Sequence, residues 1–128
     1  MKQNYGKLRR KFTTEQPAVF VRETREVNID YQASKHADNE GGEVEGFEGF
    51  TVQIDPNISD YGHVKSQLVE AAYSPKDEFG LLFNAFGALE AKVSGDDFDR
   101  SALDEFAEVN AWREMCATAA KAVIDSLK

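Results

Sequence analysis

Acyl transfer needs a nucleophile beside a base, and this chain offers one thiol, Cys116, and two imidazoles, His36 and His63. Cys116 falls on the apolar side of a helical repeat, where a thiol packs as a small inert hydrophobe. His63 stands in the first turn of a helical pattern, near a dipole end that disfavours its charged form. It reads as a solvent-facing or capping residue. His36 sits in an acidic stretch, and no pair of His or Cys has the spacing of a transition-metal site. The residues therefore predict no catalytic group and no cofactor.

Two further patterns approach a ligand loop. Asp97, Asp99, Ser101, Glu105 and Glu108 fall at positions 1, 3, 5, 9 and 12 of a calcium-binding EF-hand loop. Position 6, where that loop turns on glycine, is Ala102, and the usually apolar position 8 is Asp104. The competing reading is an acid-rich first helical turn with Ser101 as cap and Asp104 three residues on. The run from Glu43 to Gly49 is rich in glycine, but its carboxylates repel phosphate and no Lys-Ser/Thr pair follows. It reads as a flexible hairpin loop with glycines at turn positions.

The C-terminal stretch carries more information. Phe106, Val109, Arg113, Cys116, Ala120, Val123 and Leu127 recur at alternating spacings of 3 and 4, an a/d seam broken once by Arg113. Trp112, Met115, Ala119 and Ile124 widen the apolar arc. One reading is a central helix buried by the chain's own sheet and helices. The other is an assembly surface on which Trp112, Arg113, Phe106 and Val109 contact a protein partner, with Arg113 meeting a carboxylate there or on another copy. Tryptophan and arginine are the types that dominate interface hot spots.

The elements that hold these residues follow from periodicity. From Pro17 to Ala33 apolar residues fall on odd numbers (Val19, Val21, Val27, Ile29, Tyr31), interrupted by Glu23-Thr24-Arg25. That predicts one long strand with a wet middle or two strands with a turn. A loop of about thirteen residues from Ser34 to Gly46 precedes a second alternation at Phe50, Val52 and Ile54. Three helices then follow. Asp60 caps the first, with Tyr61, Val64, Leu68, Ala71 and Ala72 on one face. Ser74 caps the second, with Pro75 at N1 and Phe79, Leu82, Phe83, Phe86 and Leu89 on one face. Gly80 and Gly87 inside it predict close packing or an early end near Phe86. The last helix runs to about Ser126. Strands first and helices after predict an α+β fold, a small antiparallel sheet packed against about three helices.

Charge sets limits on partners. The chain has 128 residues, a net charge of −8, 41% apolar and 30% charged residues. The first twelve residues hold five bases and no acid, so the body carries −13 behind a +5 leader. A body of that sign repels phosphate, which argues against nucleic acid. No apolar run reaches the length of a membrane span, and a lone cysteine suits a reducing cytoplasm. The reading is a basic leader over 1–16, more often flexible and solvated or paired with acids of the body than a nucleic-acid-touching arm, and a single domain over 17–128.

Two blocks carry a resemblance. Tyr61-Gly62-His63-Val64 running to Ala72-Tyr73-Ser74, and Phe106-Ala107-Glu108-Val109-Asn110-Ala111-Trp112-Arg113 with the alanines after it, resemble small uncharacterised proteins of gut Bacteroidetes phages and prophages. The resemblance covers about half of the chain, from Phe50 to the end, and implies a phage context without carrying over any catalytic or binding residue. Together the readings predict a non-enzymatic phage or prophage accessory or structural protein acting through protein–protein contacts, with itself or another phage protein, in the host cytoplasm or on the virion. The alternative is an acidic decoy or inhibitor of a basic nucleic-acid-binding protein.

Overall fold

Alternation of apolar and polar residues builds the sheet, and the turn chemistry between the runs decides where it folds back. The computed structural model describes residues 8–128. Within them lie β1 (Leu8–Thr13), β2 (Phe20–Val21), β3 (Glu26–Ala37), β4 (Glu43–Gln53), α1 (Tyr61–Ala72), α2 (Pro75–Val93) and α3 (Arg100–Leu127). The strands form one antiparallel sheet in the order β1-β4-β3-β2, and the helices follow, so the fold is α+β.

The interruption at Glu23-Thr24-Arg25 is a turn between β2 and β3. Arg25 takes a left-handed φ of 57° there. Its guanidinium donates to the carbonyls of Asp55, at 2.8 Å, and Ile58, which ties the turn to the segment leading into α1.

The loop expected over Ser34 to Gly46 is mostly strand. β3 and β4 run on to Ala37 and back from Glu43, and Asp38 closes the tip by accepting from the amides of Glu40 and Gly42 at 2.9 and 2.7 Å. The glycines expected at turns are places where aromatic rings lie on the backbone of β4. A β-bulge between Ile29 and Gln32 sets Asp30 and Tyr31 opposite Gly49. A Cβ on Gly49 would stand 2.6 Å from the Tyr31 ring, and one on Gly46 would stand 2.3 Å from the Thr13 carbonyl oxygen.

The basic leader divides. Lys2 and Lys7 lie outside the described residues, whereas residues 8–13 are an outer strand of the sheet. Arg9 and Lys11 reach Glu26 at 2.9 and 3.1 Å, and Arg10 pairs with Glu48.

Val27, Ile29 and Val52 from the sheet and Ile54 just past β4 meet Val64, Leu68 and Val69 of α1 and Val109, Trp112, Cys116, Ala120 and Val123 of α3 in one core. Trp112 sits at its centre, edge-on to Phe50 with ring centroids 5.6 Å apart, and its indole N–H donates to the Leu68 carbonyl at 3.2 Å. That one side chain joins the sheet, α1 and α3.

The helix caps are local. Asp60 accepts from the His63 amide, and Ser74 from the Asp77 amide with Pro75 in the first turn, as the sequence predicts. α3 departs from expectation: Asp99 is its cap, accepting from the Ser101 amide and hydroxyl at 3.0 and 2.6 Å, and Ser101 lies inside the first turn. α2 also departs, continuing past Phe86 to Val93, and a Cβ on Gly80 or Gly87 would meet nothing within 4 Å. Neither glycine marks close packing or a helix end. Among the described residues no helix is long and apolar enough to cross a membrane.

Candidate functional site

α2 carries two apolar faces and its own fold covers one. Leu81, Ala85 and Ala88, spaced 4 and 3 apart, share one face, and Ala85 and Ala88 are buried. Their small size brings α2 close to α3, its principal neighbour. The other face holds Phe79, Leu82, Phe83, Phe86, Leu89 and Val93, whose exposures run from 43% at Leu82 to 81% at Val93. Phe79 and Phe83 meet edge to face, centroids 4.9 Å apart, so two of the rings are already ordered against each other.

The apolar surface continues into a groove of about 470 Å³ where α2 meets α3, lined by Phe79 and Leu82 on one side and Phe106 and Arg113 on the other. Arg113 is held by a charge-assisted hydrogen bond to Glu78, so the groove has one fixed polar wall. Isolated exposed hydrophobes are ordinary, but six on one continuous helix face make a patch of the kind that marks an interaction site.

The residues singled out as contacts on the last helix separate into two pairs. Trp112 is wholly buried under the sheet and α1, out of a partner's reach, and Val109, 2% exposed, belongs to the core but also lines the floor of the groove. Phe106 and Arg113 border the groove. The carboxylate expected across an interface for Arg113 is supplied by Glu78 of the same chain.

The calcium-like pattern does not form a loop. α3 begins at Arg100, so Ser101, Glu105 and Glu108 stand on successive helical turns and cannot wrap an ion. Asp99 is occupied as the cap, and its bond from the Ser101 hydroxyl holds its carboxyl below the usual range. Glu108 accepts from the Tyr73 hydroxyl at 3.2 Å. Burial, and then the neighbouring Glu108 carboxylate, push the Tyr73 phenol up. Among the described residues no three His, Cys, Asp or Glu side chains converge as a metal site would require.

The nucleophile and the bases are likewise apart. Cys116 is buried in the core. His63 lies exposed at the start of α1 with its ring against Asp60, whose carboxyl it holds below the usual range. His36 stacks on Phe12 at 4.1 Å and shares Glu48 with Arg10. The Arg10 hydrogen bond, and then that from His36, draw the Glu48 carboxyl down to about 2. This cluster is an ion-pair clasp between β1, β3 and β4.

A signal for the α2 face was present in the sequence. Leu81, Ala85 and Ala88 form a second helical stripe beside the aromatic one, and a helix with a single neighbour needs only one. No family model, no curated protein and no solved structure matches this chain.

Proposed function

We propose that this protein is a non-enzymatic protein-binding module that acts by presenting the α2 face to another polypeptide, as an accessory or structural component in a phage or prophage setting. The observation that carries the reading is the set of six large apolar side chains uncovered along one helix, from Phe79 to Val93. Burying such a side chain stabilises a complex by about 1.5–3 kcal/mol relative to leaving it in water, so a partner gains most by covering the row as a whole. Phe106 and the Arg113–Glu78 pair give the row an edge with a fixed donor and acceptor. The phage setting rests on the resemblance of the α1 and α3 blocks, with a role in the host cytoplasm or on the virion.

The acidic-decoy alternative draws less support, because several of its acids already serve the fold. Glu26 and Glu48 are paired with Arg9, Lys11 and Arg10, Asp60 and Asp99 cap helices, and Asp38 closes the hairpin tip.

The test places the photo-crosslinking analogue p-benzoylphenylalanine at Phe83, with Lys121 on exposed α3 surface as the control position. Irradiation in the producing cell should join the Phe83 site, and not the Lys121 site, to a polypeptide. Equal or absent adducts at the two positions would overturn the reading.

A further inference from the structure

Resting on that reading of α2, we infer that the polypeptide covering the face is a second copy of this chain, docked antiparallel across α2 with Phe86 on the two-fold axis. A symmetric pair needs a patch that complements itself, residue i meeting j while j meets i. Five of the six, Phe79, Phe83, Phe86, Leu89 and Val93, follow one another at 4, 3, 3 and 4 residues, a spacing that reads the same from either end, while Leu82 falls outside it and comes level with Glu90. Turned about Phe86, the Phe79 of one copy comes level with Val93 of the other and Phe83 with Leu89, while Phe86 faces itself. Each large ring off the axis then meets a smaller aliphatic side chain, the alternation that lets facing layers interdigitate.

Area and charge agree with the same arrangement. An aromatic side chain offers about 150–250 Å² in all. At the observed exposures the six residues put roughly 600–700 Å² of apolar surface on this face, near the ~800 Å² per partner of a stable interface. The first turn of α2 carries Lys76, Asp77 and Glu78 and its last turn Glu90 and Lys92, so antiparallel packing sets a net-negative end against a neutral one and opposes the helix dipoles. Parallel packing would set like ends together. The helix is long enough for the purpose: Phe79 to Val93 spans about 21 Å.

Sedimentation of the full chain from about 1 to about 100 µM should pass from one chain mass to two, and Phe86→Asp should weaken association by at least roughly thirtyfold while helix content by circular dichroism is kept. The symmetry has its own readout. With a short bismaleimide, Phe86→Cys alone should give covalent dimer, because only a residue on the axis meets its own copy. Val93→Cys alone should not, lying about 21 Å from its equivalent, whereas Phe79→Cys combined with Val93→Cys should. Wild-type chain, whose Cys116 is buried, is the blank. A chain that stays at one mass throughout, or that grows beyond two, overturns the proposal. So does Val93→Cys linking as readily as Phe86→Cys. A monomer whose Phe83 photo-adduct is a different protein would sink the second copy and leave the α2 binding face standing; a monomer with no adduct would sink both.

Discussion

Trp112 on α3 and Phe83 on α2 are aromatic residues on the apolar stripes of neighbouring amphipathic helices, yet one is wholly buried and the other is 64% exposed. The difference lies in what stands opposite. α3 has the sheet and α1 on one side and α2 on the other, so the middle of its apolar arc, Trp112, Cys116, Ala120 and Val123, is wholly buried. α2 rests on α3 through alanines, which leaves its larger stripe mostly uncovered among the described residues. Hydrophobic periodicity reports that a face is to be buried; layer order decides whether the chain itself buries it.

The contrast can be broken most forcefully at Trp112. Trp112→Ala should cost about 3–5 kcal/mol by urea unfolding, because it empties the centre of the core and strips the Leu68 carbonyl of a donor. Glycines give the same contrast with opposite signs. Gly46→Ala drives a Cβ into the Thr13 backbone and Gly49→Ala into Tyr31, and each should destabilise by about 1–3 kcal/mol. Gly80→Ala and Gly87→Ala enter open space on a helix and should each stabilise by up to about 1 kcal/mol, read as a raised urea midpoint. Phe83→Ser, measured where the chain is monomeric, should move stability by no more than about 0.5 kcal/mol, since the side chain is mostly in water.

The smallest effect belongs to the exposed clasp at Glu48. Its carboxyl, held at about 2 against an ordinary 4.5, adds stability that is complete above the unfolded value and fades as pH falls from there toward 2. Glu48→Gln should flatten the urea midpoint over that window. The effect stays small because Arg10 is 65% exposed and solvent screens the pair.

Where local chemistry decides structure, the sequence was readable. Asp60 and the Ser74-Pro75 step mark the starts of α1 and α2, and the alternations around Val27 and Val52 mark the strands that cross the core. The far half of the β3–β4 hairpin was not, because Gln32, Lys35 and His36 are exposed and a strand without a buried face has no alternation to display. β1 was hidden similarly, its buried Leu8 set among bases whose partners, Glu26 and Glu48, lie far along the chain. The α2 face was legible as apolar but not what covers it, and the Trp112 seam, legible as a seam, is core.

The outer strands of the sheet bear on how many chains can join. β1 offers one rim lined by Arg9, Arg10 and Lys11, and the other is the two-residue β2 followed by the outer edge of β3, which carries Gln32, Lys35 and His36. Charge on the first and the charged and polar side chains along the second both discourage strand addition. If chains meet through α2, a charged first rim and a polar second one would keep the pair from recruiting a third along the sheet, closing the assembly where a second sticky surface would spin a fibre.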